Sequence, residues 1–318
     1  MKNRKVEFYS DGVKLVGTVL VPDDYVQGER RPAVLVCHGR FAIKEWVPSR
    51  WTPYFLEAGY VCMVFDYRNL GESEGRPGTI IPQEEVRDVQ NAVTFIQQQP
   101  EVDPNQIGVL GWGLGAGVVV GAAASDPRIK AVVSASTVAN GEKYGRVGMT
   151  DEAWSQRQEE IQRDKINRVL TGSSKRLSRS QVLGGGDQEQ AQKNDRQNWI
   201  DSLISAVGPE RASDPVKLGI PEEITLESMQ ALYEFKPDEE VHKIAPRPLL
   251  VIHAKDDHEF PFNHVKSMFD RAGEPKELVI VEDAGHLDWI DPAFPAQQIY
   301  VPKVVSWMQA QLPVKGRD

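Results

Sequence analysis

Cysteine, clustered positive charge and long apolar runs are all scarce in this chain. Only two cysteines occur among 318 residues. Cys37 and Cys62 each lie inside an apolar run, which fits reduced core thiols and argues against a disulfide framework. No histidine stands at ligand spacing from either, so a zinc site is excluded and no metal is expected. Lysine and arginine total 37 against 46 acidic residues, a formal net charge of −9. No basic stripe is present that could track phosphates, which excludes a nucleic-acid partner. The longest apolar run, Gly115 to Ala124, is mostly Gly, Ala and Val and falls well short of the ~20 residues that span a bilayer. The first residues, Met1 to Glu7, are charged and have no signal-peptide core, so a cytoplasmic protein with no membrane contact is expected.

What is present is alternation. Val6–Ser10 and Lys14–Leu20, joined at Asp11-Gly12, form a hairpin at a sheet edge. Continuous apolar runs at 32–37, 60–65, 107–111, 129–135, 248–253 and 277–281 have the composition of strands covered on both faces. Helical stretches fall between them at 50–58, 84–98, 118–124, 262–272 and 297–311, the last with Ile299, Val304, Val305 and Met308 on its apolar face. The pattern predicts an α/β fold with a mostly parallel central sheet and helices on both faces. Between Val138 and Val241 the alternation stops. This polar stretch has helical pieces at Trp154–Leu170 and Asn198–Val207 and a break at Gly184-Gly185-Gly186. Trp154, Ile161, Ile166, Val169, Trp199, Ile200 and Leu203 supply its apolar faces. The expected organisation is a core of residues 1–137 and 242–318, with a helical cap inserted at 138–241.

The chain's most informative absence is a single side chain. Ile107 to Gly117 runs from an apolar strand through a glycine-dense turn into a small-residue helix. This is the layout of a nucleophile elbow, in which G-x-S-x-G holds a catalytic serine on a strained turn. Gly111 and Gly115 occupy the flanking positions, and the nucleophile position is Gly113. Acyl chemistry also needs a histidine, a carboxylate to orient it, and backbone N–H groups aimed at the oxyanion. In an open α/β sheet these groups gather at the C-terminal ends of strands. Asp256 and Asp257 follow the run ending at His253, and His286 follows the run ending at Val281. Ser134 and Ser136 follow a different strand and do not replace the missing nucleophile. Asp66 and Arg68 have the composition of an ion pair that orders their loop.

Five segments occur in a telling order: His38-Gly39; Phe65-Asp66-Tyr67-Arg68 leading into Gly71–Gly75; the elbow; His253 through Pro261; and Gly285-His286. Together they resemble the α/β-hydrolase superfamily, nearest its dienelactone-hydrolase-like and esterase branches, and leave the 138–241 stretch unmatched. The resemblance implies that Asp257, four residues before Pro261, is the triad acid and His286 the base. Asp256 is the alternative acid, or a cap for the turn. It also implies an oxyanion hole made by the backbone N–H groups of Arg40 and Leu114. His38 is expected to shape the loop rather than to catalyse. An arginine at position 40 departs from the family's small or aromatic residue. Its cation either steers an anionic or carbonyl substrate or points to solvent. Trp112, Tyr144, Trp154 and Trp199 are candidates for lining a substrate cavity.

Three explanations of Gly113 stay open at this level. The chain could be a serine hydrolase inactivated at its nucleophile. Its His–Asp pair could act as a general base, without a covalent intermediate, in hydrolysis of an ester, thioester, lactone or activated C–C bond, or in a lyase or isomerase step. It could also be a non-catalytic binding protein for a small molecule. Hydrolase chemistry on a small organic substrate is the expected function. No cofactor is implied, because the elbow accounts for the Gly111-x-Gly113-x-Gly115 pattern. A homodimer through the cap or the sheet edge is compatible with this reading.

Overall fold

Val34, Leu35, Val36 and Cys37 are wholly inaccessible to solvent, as a strand covered by helices on both faces must be. The computed structural model describes residues 2–183, 189–290 and 294–315, which leaves the Gly184-Gly185-Gly186 break outside the described residues. Its strands are β1 (Lys2–Ser10), β2 (Val13–Val21), β3 (Arg31–Cys37), β4 (Val61–Phe65), β5 (Val102–Trp112), β6 (Ile129–Ala135), β7 (Arg176–Ser178), β8 (Glu223–Thr225), β9 (Leu249–Ala254) and β10 (Lys276–Val281). Eight of them form one sheet in the order β1-β2-β4-β3-β5-β6-β9-β10. The β1–β2 and β2–β4 pairs are antiparallel, and every later pair is parallel. The predicted α/β architecture is therefore present, with β3 and β5 side by side at its centre. That adjacency brings His38-Gly39, after β3, next to the turn after β5. No helix among the described residues is long and apolar enough to cross a membrane.

Several local expectations need correction. The stretch expected as one helix at 50–58 is a short turn, Val47–Arg50, followed by a helix at Thr52–Glu57. The next helix is Pro82–Gln97, starting on a proline whose missing N–H costs nothing at that position. Asp66 and Arg68 do not pair. Lys44 Nζ lies 2.6 Å from Asp66 Oδ2, and Arg68 Nη2 donates to Asp88 Oδ1 at 2.7 Å. Both true partners come from other elements, so spacing in the sequence could not identify them. Ile299 is exposed on its helix, while Val304, Val305 and Met308 are buried.

Residues 138–241 are mainly helical and also contain the small antiparallel β7–β8 pair. Their longest helix, Asp151–Thr171, buries Ile161 and Asp164, whereas Ile166, Val169 and Leu170 face solvent. Its covered face is thus narrower than its apolar residues suggest. The segment is tied to the core by Trp46 Nε1 donating to Ser202 Oγ (2.9 Å), Gly71 N–H to Gly219 C=O (3.1 Å) and Ile80 N–H to Ser228 Oγ (2.9 Å).

Glu85, in the first turn of the Pro82–Gln97 helix, is fully enclosed. Burial, reinforced by Asp88 and Glu84, pushes its carboxyl from 4.5 up to about 8 against the pull of Arg68 and Arg40. Between those two pH values the unfolded chain has released a proton that the folded chain still holds. Stability therefore falls as pH rises across that window. Glu85→Gln should flatten this part of the stability–pH curve, leaving the variant relatively more stable at pH 8 than at pH 5. Urea unfolding across the window checks this, and an unchanged slope would refute it.

Candidate active site

β5 ends at Trp112, and Gly113 takes φ 60° and ψ −121° before the Leu114–Ser125 helix begins. This left-handed backbone is the strain expected of an elbow. Three hydrogen bonds pin it: Gly113 N–H to Ala135 C=O at 3.0 Å, and the N–H groups of Ala116 and Val138 to Gly113 C=O, both at 3.2 Å. The three glycines of the elbow differ in what a methyl group would meet. At Gly111 it would lie 2.2 Å from the carbonyl oxygen of Gly115, and at Gly115 it would lie 2.1 Å from that of His38. At Gly113 the nearest atoms, Gly39 Cα and Phe260 Cε2, would both be 3.9 Å away, ordinary van der Waals contact. Two glycines are required by close backbone approach, whereas the central one faces room for a side chain.

His286 Nδ1 donates to Asp257 Oδ2 at 2.8 Å. With that nitrogen as donor, Nε2 carries the lone pair. The other Asp257 oxygen accepts the backbone N–H groups of Glu259 (3.0 Å) and Phe260 (2.8 Å). Burial alone would raise the Asp257 carboxyl, but His286, His253 and the Phe260 N–H together hold it below the usual carboxylate range. Asp256 points to solvent, so of the two adjacent acids Asp257 is the one that meets the histidine. Phe260 spans the gap: its ring lies 4.7 Å from the His286 ring, and its edge borders the space at Gly113. His253 Nε2–H in turn holds the Phe260 carbonyl at 2.7 Å. The Trp112 ring flanks His286 on another side at 5.4 Å.

His38 is buried, and burial drives it down to about 4, so it is neutral at physiological pH. Its Nδ1–H donates to the Gly39 carbonyl at 2.8 Å, while Nε2 accepts the Tyr67 N–H at 3.4 Å. It shapes the loop, as expected. Arg40 follows directly, and its Nη2 donates to the Tyr144 hydroxyl at 2.5 Å. That hydroxyl reaches Glu259 Oε1 at 3.4 Å, and Glu259 Oε2 lies 3.7 Å from His286 Nε2. Arg40, Tyr144, Glu259 and His286 thus form one polar string. Glu259 is the member that sequence reasoning missed; only its place two residues after Asp257 hinted at it.

Of the aromatic candidates, Trp112 and Tyr144 lie around His286. Trp154 packs at 4.9 Å on Tyr233, under Arg146, and Trp199 packs at 5.3 Å on Trp46. Arg179 also lies 4.2 Å over the Trp199 ring.

Residues 32–293 match the family described as alpha/beta hydrolase fold. Polyketide transferase ATR5 of Stachybotrys chlorohalonatus is 28% identical over 301 residues, covering 91% of this chain and 92% of that protein. Thiohydrolase aneE of Aspergillus aculeatus is 37% identical over 132 residues, 41% of this chain and 40% of its own length. Among solved structures, the alpha/beta hydrolase GrgF from Penicillium sp. sh18 superposes with a TM-score of 0.79 at 21% identity, covering 98% of this chain and 99% of that one.

Proposed function

The chain belongs to the alpha/beta hydrolase fold family, and from that premise we propose that it hydrolyses a small organic acyl substrate without forming an acyl-enzyme. The observation that carries this reading is the His286–Asp257 pair at 2.8 Å, set beside an elbow whose central position has space but no side chain. Water near Gly113 gives its proton to His286 Nε2 as its oxygen bonds to the substrate carbonyl carbon. Asp257 stabilises the imidazolium so formed. The backbone N–H groups of Arg40 and Leu114 hold the oxyanion. When the tetrahedral species collapses, the C–O, C–S or activated C–C bond breaks, and the leaving group takes the proton back from Nε2. Glu259, too far from Nε2 for a direct hydrogen bond, is placed to share a bridging water with it. Residues 138–241 serve as a cap that contributes Tyr144. The likeness to a polyketide transferase and a thiohydrolase supports acyl chemistry.

Gly113→Ser provides the test, in parallel with the unaltered chain. Each is exposed to a fluorophosphonate, weighed by intact mass, and assayed on esters, thioesters, lactones and β-diketones. The serine fits the space but occupies a left-handed backbone, so the variant should fold with about 1 kcal/mol less stability. It should take one adduct where the unaltered chain takes none, and the unaltered chain should turn over at least one substrate class. If the unaltered chain is inert on the whole panel while the serine variant is active, the non-covalent reading is wrong and this is a hydrolase that lacks its nucleophile.

A further inference from the structure

The least compensated charge beside the elbow belongs to Arg40. Nη2 is bonded to Tyr144, but Nη1 is shielded from solvent and has no hydrogen-bond partner. The guanidinium lies 5.2 Å from the Phe41 ring and 5.4 Å from the Tyr144 ring. Those faces attract a cation but accept no conventional hydrogen bond. No described carboxylate forms an ion pair with it, in a chain whose acids outnumber its bases. Burial pushes the carboxyl of Glu85, whose charge would act on Arg40, up to about 8, which weakens it as a counter-charge at neutrality. A dry cationic donor left unsatisfied costs free energy that a bound anion would recover.

The surroundings specify what that anion is attached to. Arg40 borders a closed seam lined by Ile80, Pro82, Leu114, Ile224, Ser228, Met229 and Leu232. Apart from Arg40 and Ser228 the lining is apolar, and the seam is too tight for water in this conformation. Met229 is an unbranched side chain that can shift to admit a ligand. Leu114 and Arg40 also carry the backbone N–H groups assigned above to the oxyanion.

We propose that Arg40 anchors a substrate carboxylate, so that the site takes acyl compounds bearing a free carboxylate on an apolar chain. The proposal rests on the reading above in placing this anchor beside the reaction centre. One carboxylate oxygen meets Nη1, and the chain lies along the Ile80–Leu232 seam. No bond is made or broken by the anchor; it fixes which end of the substrate enters.

The test is calorimetric titration of the full chain with hexanoate, hexanamide and hexanol at neutral pH. A charge-assisted hydrogen bond should make hexanoate bind ~10- to 100-fold more tightly than hexanamide. Arg40→Gln should remove that preference, and Arg40→Lys should restore part of it. Far-UV dichroism and thermal unfolding establish that each variant is folded. His286→Ala should bind hexanoate as the parent does, which separates the anchor from the chemistry. No detectable hexanoate binding to the unaltered chain, equal binding of hexanoate and hexanamide, or a preference that survives Arg40→Gln would each overturn the anchor. The first two readouts need no variant. Turnover with no carboxylate preference would also overturn it while leaving the proposed reaction standing.

Discussion

His286→Ala should lower kcat by about 10²- to 10⁴-fold with little change in KM, the range a positioned general base contributes. The 2.8 Å bond to Asp257 takes Nδ1–H as donor and leaves the lone pair on Nε2. Once the imidazole is gone, the string from Arg40 to Glu259 persists but lacks the base that Asp257 orients. Substrate binding and oxyanion stabilisation remain, so the loss falls on kcat. The substitution also strips Asp257 of the partner that helps to hold its carboxyl down. A lowered carboxyl contributes stability at neutral pH that is lost as pH falls through its folded value. The variant should therefore be less stable at neutral pH, with a smaller further loss on acidification. Initial rates and urea unfolding at two pH values measure both effects. Undiminished kcat in the alanine variant would remove His286 from the reaction.

Gly115→Ala should be the more damaging of two alanine substitutions placed two residues apart. Its methyl group would lie 2.1 Å from the His38 carbonyl oxygen and 2.9 Å from the carbonyl carbon. Both are backbone atoms of the segment leaving β3, so no side-chain rotation relieves the clash. The Leu114–Ser125 helix would have to move away from the sheet, at a cost of ~3 kcal/mol or more, a large share of a typical domain's stability. Gly113→Ala meets nothing closer than 3.9 Å and incurs only the cost of its left-handed backbone, about 1 kcal/mol. Thermal unfolding of the two variants side by side gives the comparison. Equal melting temperatures would show that the helix is not held against β3 as described.

Motifs contiguous in sequence were legible; relations between distant segments were not. The elbow, His38-Gly39 and Gly285-His286 each end a strand, and parallel pairing brings strand ends together, so their convergence could be read without coordinates. The choice between Asp256 and Asp257 could not, because neighbouring residues of a turn point in different directions. Tyr144 and Arg40 stand 104 positions apart, and no periodicity links them. β7 and β8 have three residues each, too few for alternation to show. Ile166 and Val169 are apolar at helical spacing yet exposed, because residue type alone does not reveal which face of a helix has a neighbour.

The unequal crowding of the elbow glycines also has a genetic meaning. Every glycine codon begins with GG, and one base change can turn a suitable one into a codon for serine, cysteine or aspartate. At positions 111 and 115 each such change places a Cβ close to 2 Å from backbone, so the elbow or its helix has to move. At position 113 a serine or cysteine would meet nothing closer than 3.9 Å and would place a nucleophile near a histidine already paired with its acid. A GGU or GGC codon at position 113 would stand one base from serine and from cysteine, whereas GGA or GGG would stand two, so the codon sets how near this scaffold lies to a form that carries a nucleophile.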